Sequence, residues 1–158
     1  MKILLAIDGS PCSEAAVHEV AARPWMEGSD VKILSVVTAP FPDVPLDPFF
    51  VTYAAHREMM EKERNRLGEL VERTASELRK HVVSKELRIE TSVIDGSPKQ
   101  VIVEQAEQWG ADLIVVGCHG FGPVKRFLLG SVSQAVAVHA PCSVEIVRRR
   151  HAPEGQSV

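Results

Sequence analysis

Short aliphatic runs alternate along the chain with longer stretches whose apolar residues recur every three or four positions. The first run, Lys2 to Ile7, is nearly continuous (Ile3, Leu4, Leu5, Ala6, Ile7) and ends at Asp8-Gly9-Ser10. A run that short, closed by turn residues, predicts a strand covered on both faces, as in a parallel sheet. Ser10-Pro11 then opens a helix, with serine as N-cap and proline in the first turn, where its missing N–H costs nothing. Ala15, Ala16, His18, Glu19 and Ala22 continue that helix until Arg23-Pro24 stops it. Val31 to Val37 is a second aliphatic strand. The prolines at 40, 42, 45 and 48 exclude regular structure between Thr38 and Pro48. A long helix is expected from about Phe49 to Val82. Its dry stripe is Met60, Leu67, Leu70, Val71, Leu78 and Val82, and Glu61, Lys62, Glu63, Arg64 and Glu69 fill its wet face. Of the adjacent Met59 and Met60, one is expected in the core.

Leu87 to Asp95 alternates Leu87, Ile89, Thr91 and Val93 with polar neighbours, the pattern of a strand with one wet face at a sheet edge. Ser97-Pro98-Lys99-Gln100 reads as a capping box that opens a helix ending at Trp109-Gly110, where glycine can turn left-handed. Leu113 to Val116 is another buried strand. Ser131 and Gln134 form a second capping box, for a helix running to His139 and stopped before Pro141. Ser143 to Val147 is the closing strand. Strand and helix thus alternate four times before a last strand, which predicts an α/β fold: a single-domain parallel sheet with helices on both faces and right-handed crossovers.

Composition narrows the picture. The chain has 158 residues, long enough for one domain with a core that needs no staples. Aromatic residues are only 5%, so that core is aliphatic. A net charge of −3 and a pI near 6.1 argue against binding nucleic acid through bulk charge. Cys12, Cys118 and Cys142 form no CxxC pair, which speaks against a disulfide framework or zinc ribbon. The first strand-like run begins at Lys2 with no signal-peptide pattern before it, and no apolar run reaches membrane-spanning length. A soluble cytoplasmic protein is expected.

In an open parallel sheet, ligands bind beyond the carboxyl ends of the strands, where the strand order reverses. The residues that follow each strand are therefore the informative ones. Asp8-Gly9-Ser10 follows the first strand, and GCHGFGPVKRFLLGS (Gly117 to Ser131) follows the fourth. Strand-to-helix connections usually take about 2–6 residues, and this one takes roughly twice that. It holds four glycines, Lys125 and Arg126, and no acid. Glycines let backbone N–H groups converge on an anion, and Gly130-Ser131 delivers a helix N-terminus whose free N–H groups suit phosphate. Ser131 and Ser133 can add hydroxyl donors. The P-loop pattern GxxxxGK[ST] is absent, and Gly120-x-Gly122 meets lysine at 125 where a dinucleotide fingerprint needs glycine.

Gly117-x2-Gly120-x9-Gly130-Ser131 resembles the nucleotide loop of the universal stress protein family, in its ATP-binding branch. KILLAIDGS at the start, GSP at Gly96 to Pro98, ADLIVVG, and APCSVEIV near the end are similar to that family at matching positions, so the resemblance spans about residues 2 to 148. It implies a doubly wound, Rossmann-like sheet of five strands ordered 3-2-1-4-5, with ATP lying across strands one and four. The family's pattern assigns Asp8 and Val37 to the adenosine half, and Gly117, His119, Gly120, Gly130, Ser131 and Val132 to ribose and phosphate. Gly9 and Ser10 beside Asp8, and Lys125, Arg126 and Ser133 in and after the loop, complete the candidate set. Magnesium would arrive with ATP, held mainly by phosphates. The resemblance also implies a homodimer formed through Ser143 to Val147, acting as a stress-response regulator toward a partner protein. Residues 1–148 would be the nucleotide-binding domain and 149–158 a disordered tail.

Blander readings compete at each position. The blander reading of Asp8 is a cap on the first helix or turn; a strand end and a glycine loop aimed at one crevice favour ligand contact. His119 without a paired carboxylate or nucleophile reads as a ribose-edge or backbone-positioning residue rather than a general base. The alternative function is a nucleotide hydrolase or nucleotidyl-transfer enzyme using His119 and Lys125. No Walker lysine or dedicated base stands in the sequence, so any ATP hydrolysis is expected to be slow. Oxidant sensing at Cys118 would need a favoured thiolate; the structural reading is preferred, with Cys12 and Cys142 as small buried fillers. The scattered histidines give no metal-ligand spacing.

Overall fold

A computed structural model describes residues 1–38, 53–81, 87–120 and 129–149. The proline segment, Val82, Lys125, Arg126 and the tail beyond Arg149 lie outside the described residues. The elements are β1 (Lys2–Ala6), α1 (Pro11–Ala22), β2 (Asp30–Val37), α2 (Tyr53–His81), β3 (Arg88–Asp95), α3 (Pro98–Trp109), β4 (Leu113–Gly117), α4 (Ser131–His139) and β5 (Ser143–Val147). The five strands form one sheet in the order β3-β2-β1-β4-β5, with every neighbouring pair parallel. Leu4 in the central strand faces Lys32 on one side and Ile114 on the other.

Successive side chains of a strand point to opposite faces, so each aliphatic run feeds two cores. Ile3, Leu5, Val31, Ile33 and Val115 pack with Val20 of α1 and Leu67, Val71, Ala75 and Leu78 of α2. Leu4, Leu34, Ile114 and Val116 pack on the opposite face with Val101, Ile102 and Ala106 of α3 and Val136 of α4. Burying one such side chain contributes about 1.5–3 kcal/mol, which is how a chain poor in aromatics still holds a two-sided sheet. The expected edge strand is confirmed, since β3 ends the sheet and its exposed residues alternate with half-buried ones at its start. Met60 packs against the core while Met59 is 48% exposed.

Caps follow the sequence signals at some helix ends and depart from them at others. Ser10 is the N-cap of α1, its Oγ accepting from the Ser13 N–H at 3.3 Å. Gly110 ends α3 in the left-handed region at φ 69°. Ser97 occupies the N-cap position of α3, but its side chain makes no cap bond, so the expected box with Gln100 is not formed. The box at Ser131 is also corrected. The N-cap of α4 is Gly130, extended at φ −63° and ψ 153°, and Ser131 is the first helical residue.

Candidate functional site

Between β1 and β4 the strand order reverses, because β2 and β3 lie on one side of the central strand and β5 on the other. The crevice opens there. Asp8 follows β1 and accepts the Ser10 N–H at Oδ1, 2.8 Å away, which closes a tight turn around Gly9 (φ 83°). Ser13 locks the same turn from α1. Its Oγ donates to the Ser10 carbonyl at 3.0 Å and accepts from the Gly9 N–H at 3.1 Å. Ser10 Oγ in turn donates to the His119 carbonyl at 3.2 Å, tying the loop after β1 to the loop after β4.

The far side is pinned with equal care. Cys118 donates its N–H to the Val147 carbonyl at 2.8 Å, and its own carbonyl accepts from the Gly130 N–H at 2.8 Å. Ser133 Oγ, 2% exposed, lies 3.0 Å from the Cys118 carbonyl and 2.9 Å from that of Gly130. The two ends of the long glycine loop are therefore clamped together at Cys118 and Gly130.

Two of the glycines are required by close approach. A Cβ on Gly117 would stand 2.6 Å from the Cys12 carbonyl carbon and 2.7 Å from the Ser13 nitrogen, so the end of β4 rests directly on the first turn of α1. A Cβ on Gly120 would stand 2.8 Å from Asp8 Oδ2, which brings the glycine loop against the carboxylate. Neither glycine has positive φ.

These contacts bound one cavity of about 270 Å³, close to the lower end of the range of about 300–1,000 Å³ typical of small-molecule sites. Its polar wall is Asp8, Ser10, His119, Gly120, Gly130 and Ser131, with Gly117, Val132 and Ser133 beside them. Its floor is apolar, from Leu34, Val36, Ile102 and Val116. The N-terminus of α4 opens into the cavity with no side-chain cap, so its first N–H groups and positive dipole end are available to an anion. Nδ1 of His119 is buried with no hydrogen-bond partner among the described residues, a polar atom suited to a ligand group. No cluster of three or more metal-ligating side chains occurs among the described residues.

Nine of the sequence-derived candidates thus meet in one place. Two others stand apart. Gly9 shapes the turn but faces the groove between α1 and α2, and Val37 is fully buried in the core beneath α2 with its carbonyl accepting the Gly96 N–H at 3.0 Å. The apolar floor and Ser13 were missed. The period-two alternation of β2, which sends Leu34 and Val36 to the face opposite Val37, was the signal that could have found part of it. The reading of Cys12 and Cys142 as buried fillers is corrected, since both are half-buried. The Cys12 Sγ is 3.0 Å from that of Cys118, brought there by the parallel crossover that lays α1 against the end of β4.

A parallel sheet with its crevice at the reversal of strand order, an open helix N-terminus and an apolar floor defines a doubly wound α/β domain with a candidate ligand crevice. The comparisons with known proteins name its lineage. The chain belongs to the universal stress protein family, whose model matches residues 1–148. It is 32% identical over 153 residues to a putative universal stress protein of Staphylococcus haemolyticus, covering 96% of this chain and 87% of that one. Universal stress protein UspA from Lactobacillus plantarum shares the fold at a TM-score of 0.74 and 25% identity, over 94% of this chain and 97% of its own. A family member from Arabidopsis thaliana, solved with AMP bound, shares it at 0.62 and 19%, over 95% and 92%. Among the described residues no helix is long and apolar enough to cross a membrane.

Proposed function

We propose that this chain binds an adenine nucleotide, ATP in the first instance, in the crevice between β1 and β4 and acts as a homodimeric regulator with at most slow hydrolysis. The observation that carries the reading is the convergence of Asp8, the Gly117–Gly120 turn and the uncapped start of α4 on one cavity with an apolar floor. A planar base fits against Leu34, Val36 and Ile102. Asp8 Oδ2, turned toward the glycine loop, suits a hydroxyl or amine donor of the nucleoside. The N–H groups of Ser131, Val132 and Ser133 are oriented for phosphate, and the Ser131 hydroxyl adds a donor. Lys125 and Arg126, between Gly120 and Gly130 in the sequence, would supply positive charge toward a triphosphate. Magnesium would be held mainly by the phosphates, with the Asp8 carboxylate standing beside Gly120.

AMP in the Arabidopsis neighbour is a fact about that protein; the case here rests on this chain's own crevice. Dimerisation is assigned to β5, an edge strand whose free backbone groups can pair with a second copy. The test is to denature the purified protein and identify released nucleotide by mass, then to titrate stripped protein with ATP, ADP, AMP and cyclic AMP by calorimetry. Micromolar binding that is lost in Asp8→Ala supports the reading. No released nucleotide and no heat with any of the four would end it. Turnover that falls on His119→Ala would replace it with the hydrolase reading.

A further inference from the structure

Cys12 and Cys118 stand 106 positions apart in sequence, yet their Sγ atoms are 3.0 Å apart and unbonded. Cys12 is the second residue of α1 and half-buried; Cys118 is the first residue beyond β4 and 6% exposed. Rigid neighbours hold the approach. The backbone of Gly117 rests on that of Cys12, with no room for a Cβ between them. The Cys118 backbone is fixed on both sides, its N–H on Val147 and its carbonyl accepting from Gly130. The Ser10–His119 hydrogen bond joins the same two segments a few residues away. Bond formation at about 2.05 Å requires the sulfurs to close by only about 1 Å. Cys142 lies just before β5, at the opposite end of the strands from Cys118.

We propose that Cys12 and Cys118 are a site of oxidative modification, forming a reversible intramolecular disulfide when the protein meets a hydroperoxide. The Cys12 sulfur, as thiolate, attacks the terminal oxygen of the hydroperoxide: an S–O bond forms, the O–O bond breaks, and the departing alkoxide or hydroxide takes up a proton. The Cys118 sulfur then attacks the resulting Cys12 sulfenic acid. The S–S bond forms, the S–O bond breaks, and hydroxide leaves as water with the Cys118 proton. Two thiols and one hydroperoxide give one disulfide, one alcohol (or water) and one water, and the peroxide oxygen is the group reduced. The order follows exposure, because the oxidant reaches half-buried Cys12 first. Burial, reinforced by the Cys12 sulfur, pushes the Cys118 thiol up to about 11, so Cys118 is not the residue that meets the oxidant first. The product would staple the first turn of α1 to the exit of β4, the two segments that flank the crevice.

The test uses the full chain without nucleotide. Reduced protein is treated with hydrogen peroxide, acid-quenched, denatured, alkylated and mapped by mass spectrometry. The expected product is one cross-linked peptide pair joining Cys12 to Cys118 within a monomeric chain, two hydrogen atoms lighter than its parts. Cys142 should be alkylated in full, and dithiothreitol should restore both thiols. Cys142→Ser should form the cross-link as the parent does, and Cys118→Ser should accumulate a Cys12 sulfenic acid trapped by dimedone. Persistence of alkylatable Cys12 and Cys118 after peroxide, a bond involving Cys142, or a bond only between chains would overturn the proposal. The readout is a covalent mass change, so its failure leaves the nucleotide reading untouched.

Discussion

Gly117→Ala tests the claim that β4 and α1 meet backbone to backbone. The added Cβ would lie 2.6 Å from the Cys12 carbonyl carbon, 2.7 Å from Ser13 N and 2.8 Å from the Cys12 carbonyl oxygen. Carbon atoms prefer roughly 3.5–4.0 Å, so about 1 Å of displacement is needed, and neither backbone can yield by turning a side chain. Overpacking of this kind costs about 1–3 kcal/mol, and the rigidity of both partners puts this case at the upper end. Against it stands about 0.4–1 kcal/mol gained by restricting the unfolded chain. The net loss is about 2 kcal/mol, which for a domain of this size lowers Tm by about 4–8 °C. Gly68→Ala is the internal control. Gly68 lies within α2 with nothing within 4 Å of its Cβ position, so the same change there should stabilise by about 1 kcal/mol. Thermal and urea unfolding followed by circular dichroism measure both, with unchanged urea m-values for a valid comparison. A Gly117→Ala protein with Tm at or above the parent would refute the packing argument.

Gly120→Ala should behave differently, because the atom its Cβ would meet is the mobile end of Asp8, at 2.8 Å. Tm should stay within about 2 °C, while nucleotide affinity falls about tenfold or more as the carboxylate is pushed aside; a calorimetric titration reads the second effect. Arg23→Ala removes paired bonds to Glu145 (2.7 and 2.8 Å), one to Glu19 (2.8 Å) and the stacking of the guanidinium over Trp25 at 5.3 Å. With the Arg23 side chain 35% exposed, the loss should be about 1 kcal/mol and should shrink at high salt, as urea midpoints at two ionic strengths would reveal. Arg88 beside Asp30 holds that carboxyl below its ordinary value. The pair therefore stabilises the fold above the unfolded Asp value of about 3.9, and the contribution disappears as pH falls through the lower folded value. Asp30→Asn should flatten that acid limb and leave the slope near neutrality unchanged in pH-dependent urea titrations.

The fold was legible because hydrophobic period and turn chemistry agree in β1, α1 and β4: both strands are short and aliphatic, and each runs on into polar or glycine residues. Cap details were less legible. Ser131 and Gln134 have the spacing of a capping box, but Gly130 takes the cap because its amide must bond the Cys118 carbonyl across the loop, a tertiary demand that no local pattern contains. The same limit applies to the site. A glycine motif reads as backbone freedom around an anion, yet Gly117 and Gly120 have ordinary φ and answer to space, one against α1 and one against Asp8. Val37 makes the point in reverse. Its neighbour Val36 faces the crevice while Val37 faces α2, because successive strand residues alternate faces, so a motif position at a strand end says nothing of whether side chain or backbone serves. Since the Val37 carbonyl is already engaged by Gly96, and its side chain lies in the core, a change such as Val37→Ala should act on stability through the cavity it leaves. Spacing alone also could not bring Cys12 to Cys118, since their meeting depends on which strand lies next to β1. Reactivity in this chain is thus written in its topology, and the glycine that lets β4 settle onto α1 is also what sets the two sulfurs side by side.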